Sequence, residues 1–197
     1  MNNIDRIKEV FNQSIKIKKA ILADEIFIER IANVSDIIID AYRNGNKVLF
    51  AGNGGSAADA QHLAAELTGK FYLNREPLSA EALHTNSSFV TAVANDFGYD
   101  EIYLRGIKAQ AKKGDVFIAI STSGNSVNLI KAMEYCNDND IITVGFTGAS
   151  GGKMKNYSDY LLNVPSTDTP RIQEIHIVIG HIICELVEHA LFAHDCR

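Results

Sequence analysis

The chain has 197 residues, 46% of them hydrophobic and 22% charged, with a formal net charge of −5. Length and composition are those of a globular protein with a complete core, and the acidic balance without a basic run gives no reason to expect a nucleic-acid partner. The longest apolar stretches, near Ile37–Ile39 and Ile177–Ile183, are too short to span a bilayer, so neither nucleic acid nor membrane is an expected partner.

The opening Met-Asn-Asn-Ile-Asp lacks the basic and then apolar order of a signal peptide, which makes the cytoplasm the expected location. Cys136, Cys184 and Cys196 are odd in number and widely spaced, a pattern of free thiols in a reducing compartment rather than of a cysteine-based zinc site.

Ile4, Ile7, Phe11, Ile15 and Leu22 recur at helical spacing, and a second run from Ile28 through Ile31, Val34 and Ile38 closes at Gly45. Residues 1–45 therefore predict two amphipathic helices ahead of the first strand. They either cover their own sheet or form an interface between copies. From Lys47 the chain alternates: strand Lys47–Ala51, helix Ser56–Thr68, a strand near Ser79–Leu83, helix Ser87–Ala94, and a polar helix from about Asp100 to Ala111. Strand Asp115–Ser121, helix Ser126–Asn137, strand Ile141–Thr147, a short helix near Gly152–Asn156, strand Tyr160–Val164 and a last helix from Arg171 to Phe192 follow. The alternation predicts an α/β fold, a doubly wound, five-stranded, mainly parallel sheet with helices on both faces and ligands at the strand C-termini. No repeat or proline-rich linker marks a boundary, so residues 1–197 read as a single domain.

Two loops at strand C-termini carry the chemistry. Gly52-Asn53-Gly54-Gly55-Ser56 and Ser121-Thr122-Ser123-Gly124-Asn125-Ser126 each follow a strand and open a helix, whose unpaired N–H groups and partial positive charge favour an anion. Glycine allows close approach, and hydroxyls donate to phosphate oxygens. A chain that builds such a loop twice is expected to hold a phosphorylated small molecule. The first loop also satisfies the loose dinucleotide pattern G-x-G-x-x-A, but the second strand ends Ala82-Leu83-His84-Thr85 without the acid that would hold a ribose.

His62 and Glu66, four residues apart on the helix after the first loop, share one face at about 6 Å along the axis. That spacing suits a metal chelate or an acid/base pair; an isolated pair of this kind is more often a solvated one of no consequence, and the position two turns behind the first loop is what raises the functional reading. Gln173, His176 and His181 lie on a last helix that is apolar nearly all round, where a polar side chain is either a hydrogen-bonded core residue or part of a site.

Taken together, Ala51–Phe71 (AGNGGSAADAQHLAAELTGKF), Ala92–Asp100 (AVANDFGYD), Ala119–Ser126 (AISTSGNS) and Ser166–Glu188 (STDTPRIQEIHIVIGHIICELVE) resemble the sugar isomerase (SIS) fold family, and within it the phosphoheptose isomerases, over essentially the whole chain. The resemblance implies aldose–ketose isomerisation of D-sedoheptulose 7-phosphate to D-glycero-D-manno-heptose 7-phosphate, which feeds heptose precursors of lipopolysaccharide or another surface glycan. It implies substrate contacts from Asn53, Gly54, Gly55, Ser56, Asn95, Asp96, Ser121, Thr122, Ser123 and Ser126. It also implies a catalytic and zinc-binding group of His62, Glu66, Gln173 and His181, with Glu66 and Gln173 close to the sugar, one zinc ion per subunit and a homotetramer. Leu83-His84-Thr85-Asn86-Ser87 departs from the Leu-Thr-Thr-Asp form of the family and puts Asn86 where an acid is usual, which bears on substrate preference.

Glu66 is the expected base at carbon and His181 the expected acid at oxygen; Glu66 serves as base, zinc ligand or both. Gln173 and His181 are eight residues, about 12 Å, apart on one helix, so a metal touching both is expected to draw on neighbouring chains. The family also contains a non-catalytic relative that binds the replication initiator and lacks the histidine matching His181, and isomerases of related sugar phosphates. His181 together with His62 and Glu66 favours the enzyme.

Overall fold

A computed structural model describes residues 2–193; Cys196 lies outside them. Helix α1 (Asn3–Leu22) is capped by the Asn2 side chain, which accepts from the Asp5 N–H at 2.9 Å, and α2 (Glu25–Arg43) by Asp24, which accepts from Phe27 at 3.0 Å. Then follow β1 (Val48–Gly52), α3 (Gly55–Thr68), β2 (Ala80–Ala82), α4 (Ser87–Phe97), a 3-10 turn at Tyr99–Glu101 and α5 (Ile102–Gln110). The chain continues through β3 (Val116–Ser121), α6 (Val127–Asn137), β4 (Ile142–Thr147), a 3-10 turn at Lys153–Asn156, β5 (Tyr160–Asn163) and α7 (Thr169–Phe192).

The five strands pair in the order β2-β1-β3-β4-β5, and every pairing is parallel. All residues of β1 and β3 are buried, as expected of near-continuous apolar runs covered on both faces. Side chains alternate between two cores. Val48, Phe50, Ile118 and Ile120 pack with α2, α3 and α7, whereas Leu49, Ala51, Phe117 and Ala119 pack with Ile102, Tyr103 and Ile107 of α5 and Leu129 and Met133 of α6. The sequence order changes direction between β1 and β3, so the β1 and β3 C-termini form the crevice of a doubly wound sheet.

Three boundaries differ from the sequence reading by two residues or more. Helix α4 runs on to Phe97 and stops at Gly98, whose φ of +93° few other residues adopt, so Asn95 and Asp96 sit on its last turn. Helix α7 starts at Thr169 because Pro170 is tolerated in a first helical turn, where no N–H is needed. The residues read as the start of the polar helix form the 3-10 turn before α5. Asn86 caps α4, its Oδ1 accepting from Phe89 at 3.0 Å, a task an aspartate performs equally well.

The N-terminal helices divide between the two roles the sequence left open. Helix α2 buries Phe27, Ile31, Val34, Ile38 and Ile39 in the core, whereas α1 leaves Ile4, Ile7, Phe11 and Ile15 between 46% and 66% exposed. Helix α7 is likewise two-faced. Ile172, Ile175, Ile179, Ile183 and Val187 are buried, but Val178, Ile182 and Leu186 face outward. By length and composition α7 could cross a membrane, longer than the apolar run in the sequence because isolated polar residues interrupt that run; here its inner face packs in the core. Burial pushes the Cys136 and Cys184 thiols up to about 12, which leaves both inert.

Candidate active site

The first loop leaves β1 at Gly52, where an added Cβ would lie 2.4 Å from the Ser56 carbonyl oxygen. Only glycine permits that turn, which also buries Ser56 to 3% exposure. Gly54 adopts φ +58° and leads into α3 without a side-chain cap. Asn53 is held from two sides: its amide exchanges hydrogen bonds of 3.0 Å with the Asn128 amide, and the Tyr99 hydroxyl donates to its Oδ1 at 2.9 Å. Asn128 is buried on α6, so this exchange joins the first loop to the helix that follows the second. Tyr103 hydroxyl donates to the Gly52 carbonyl from below.

In the second loop Ser121 Oγ lies 2.9 Å from Ser126 Oγ and 3.4 Å from Ser123 Oγ. Ser126 stands at the N-cap of α6 but makes no capping bond, so its hydroxyl belongs to the serine cluster rather than to the helix. Ser123 Oγ accepts from the Asn125 N–H at 3.1 Å. A glycine-rich segment after β4 braces the loop: Gly148 N–H donates to Thr122 O at 3.0 Å and Met154 N–H to Gly124 O at 2.9 Å. At Gly124 (φ +64°) an added Cβ would stand 2.2 Å from Gly151 O, so the two backbones touch with no room for a side chain.

Helices α3 and α7 build the third component. Gly180 lets them cross closely, an added Cβ there falling 2.5 Å from the Leu63 methyls. Beside this crossing His62 Nε2 lies 2.9 Å from Glu66 Oε1 and 3.1 Å from His181 Nε2, and the ligand atoms of all three residues lie within 4.8 Å of one another. One imidazole nitrogen cannot donate to both neighbours at once, so these atoms converge as a chelate does. Ligand atoms on a tetrahedral ion with metal–nitrogen bonds of about 2.0–2.1 Å stand about 3.3 Å apart, near the separations found here. The three residues can hold a metal ion. His62 and Glu66 also line a shallow depression of about 480 Å³ with Ala58, Gln61 and Ala65.

Asp59, one turn before His62, has a buried Oδ2 without a partner; burial raises its carboxyl above the ordinary range while His62 and His181 pull it down. His176 is a core residue. It is fully buried, donates from Nε2 to Thr147 O at 3.1 Å, and is pushed down to about 4 by burial, so its ring is neutral.

Gln173 stands apart from the His62–Glu66–His181 group of its own chain. Its amide lies against the first loop, 2.5 Å from where a Cβ on Gly55 would be. Asn95 and Asp96 are exposed and bonded to each other at 2.8 Å. Asn128, Tyr99 and the Gly148–Gly152 brace escaped the sequence reading. The glycine cluster after β4 was a usable signal; nothing local marks an asparagine or tyrosine that props a loop 46 or 75 residues away.

Residues 9–148 match the family model described as SIS domain. The chain is 55% identical over 188 residues to phosphoheptose isomerase of Aneurinibacillus thermoaerophilus, covering 95% of each chain. Its fold superposes on the structure of phosphoheptose isomerase from Neisseria gonorrhoeae with a TM-score of 0.88 at 39% identity, over 95% of this chain and 99% of that one. For a phosphoheptose isomerase from Francisella tularensis the TM-score is 0.92 at 33% identity, over 96% and 100%. With loops, fold and histidine–carboxylate group agreeing over nearly its full length, the chain belongs to the SIS domain family and to its phosphoheptose isomerase branch.

Proposed function

We propose that this protein interconverts D-sedoheptulose 7-phosphate and D-glycero-D-manno-heptose 7-phosphate, as a soluble cytoplasmic step toward heptose-containing surface glycans. The observation that carries the reading is the meeting of His62, Glu66 and His181 beside two hydroxyl- and glycine-rich loops in a chain of this family. The same meeting favours catalysis over a purely binding role, which needs no such group.

Aldose–ketose isomerisation moves a proton between C1 and C2 through an enediolate, so one group must take a proton from carbon and another must serve the oxygens. On this reading Glu66 acts as the base, and His181 protonates oxygen and assists ring opening. The second loop grips the C7 phosphate with Ser121, Thr122, Ser123 and Ser126, while Asn53, Gly54, Gly55, Ser56, Asn95 and Asp96 hold the sugar hydroxyls. Binding energy spent on the remote phosphate then orients C1 and C2. Two imidazole nitrogens and a carboxylate form a donor set suited to zinc. When bound, zinc would supply Lewis-acid stabilisation of charge at the substrate oxygen. Gln173, as fourth ligand and sugar contact, comes from a neighbouring copy in a homotetramer. The bare apolar stripe of α1 and the outward Val178, Ile182 and Leu186 of α7 supply surface for that assembly.

The test is purified protein with sedoheptulose 7-phosphate in D₂O, with product detection by NMR. Aldose product carrying deuterium at C2 is the expected outcome. Substrate that stays unchanged, with and without added zinc, refutes the assignment.

A further inference from the structure

Behind the His62–Glu66–His181 group lies a buried ion pair that none of the steps above uses. Arg75 Nε donates to Glu188 Oε1 at 2.8 Å, and both side chains are 2% exposed. Glu188 also accepts from three consecutive backbone N–H groups, Phe71 at 2.8 Å, Tyr72 at 2.6 Å and Leu73 at 2.8 Å. Burial raises the Glu188 carboxyl, but these donors and Arg75 outweigh it and hold it below the ordinary range. The Arg75 guanidinium in turn donates to the carbonyls of Glu66 at 3.0 Å, Leu67 at 2.9 Å and Glu76 at 2.9 Å. It thereby satisfies the last turn of α3, the end at which a cation is favoured.

Both ends of this clamp reach the candidate centre. One ends on the backbone of Glu66 itself. The other fixes Phe71, whose ring packs on the His181 ring with centroids 5.6 Å apart. Glu188 lies seven residues, about 10 Å and two turns, beyond His181 on α7. Arg75 lies on the connection between α3 and β2, so the clamp ties that connection, with Phe71 on it, to α7 at the level of the candidate centre.

We propose that Glu188, acting through Arg75 and Phe71, is a positioning residue that sets the distance and ring orientation of His181 relative to Glu66. The proposal rests on the catalytic and metal-binding reading of the His62–Glu66–His181 group. Outer partners of this kind change metal affinity or activity by about 10–100-fold when altered. The phosphate grip on the second loop touches none of the clamp, so the effect falls on kcat and on metal geometry rather than on KM.

The test uses Glu188→Gln, which keeps volume and removes charge, in full-length protein loaded with Co²⁺ as a spectroscopic probe. The expected result is a cooperative thermal melt, kcat lowered about 10–100-fold, KM within about threefold, and a changed cobalt absorption band. Wild-type kcat together with a wild-type cobalt spectrum overturns the proposal. Should Glu188→Gln fail to fold, Phe71→Leu leaves the ion pair intact and removes only the ring from His181; lower kcat with an altered cobalt band supports positioning, and wild-type values for both overturn it. Glu66→Gln run in parallel separates the two readings. If it stays active, the catalytic reading of the group fails, whereas an inactive Glu66→Gln beside a wild-type Glu188→Gln removes the clamp alone.

Discussion

Gln173 and His181 project from one helix yet reach different turns of α3: the Gln173 amide rests on Gly55 at its first turn, and His181 Nε2 stands 3.1 Å from His62 Nε2 two turns further on, midway along the helix. On the proposed reading, a metal held by His62, Glu66 and His181 of one chain takes its fourth ligand, Gln173, from another copy. Mixing His181→Ala with Gln173→Ala, each inactive alone, is expected to restore activity after subunit exchange, because some hybrid sites combine an intact triad with an intact glutamine. Proven exchange without recovery would place both residues at the site of a single chain.

Glu66→Gln keeps the shape of the side chain and removes its charge. Proton abstraction by a positioned base contributes about 10²–10⁴-fold, so kcat should fall at least about a hundredfold while the far-ultraviolet spectrum and melting profile stay native. Turnover within a few-fold of wild type would take Glu66 out of the proton transfer.

Ser126→Ala removes a hydroxyl that bonds Ser121 at 2.9 Å and is not committed to capping α6. A hydrogen bond to an anionic oxygen contributes about 1.5–3 kcal/mol. KM for the sugar phosphate should rise about tenfold or more, and binding of unphosphorylated sedoheptulose should change little. Equal weakening of both ligands would mean that the serine cluster does not hold phosphate.

His176 gives the stability a pH dependence of known sign. Its ordinary value of 6.5 falls to about 4 in the folded chain because burial disfavours the charged ring, with the Thr147 carbonyl pulling weakly the other way. Between these values the unfolded chain binds a proton that the folded chain does not, so stability is complete above 6.5 and declines as pH falls toward 4. The loss is on the order of 3 kcal/mol across that window. Denaturant titrations at pH 7 and pH 4.5 should show it, and His176→Phe should flatten the difference. An unchanged slope in that variant would assign the acid sensitivity to other groups.

Much of this protein was legible in its sequence because the governing interactions are local. Val48-Leu49-Phe50-Ala51 and Val116–Ile120 read as strands buried on both faces because each run is apolar throughout. The glycine and serine loops fall at strand ends because a parallel α/β chain must turn there, and the four-residue spacing of His62 and Glu66 already places them on one face of α3. Only tertiary structure decided the rest. Ile4, Ile7, Phe11 and Ile15 have the periodicity of buried residues, yet nothing in the periodicity says whether the covering surface belongs to the same chain; α2 and α7 occupy the sheet face first and leave the α1 stripe bare. His181 and His62 meet across 119 residues, and Asn128 props Asn53 across 75. Those meetings depend on the order β2-β1-β3-β4-β5 and on the close crossing at Gly180. Local spacing sets which residues share a face; which faces come together is set by how the whole chain packs its apolar surface away from water.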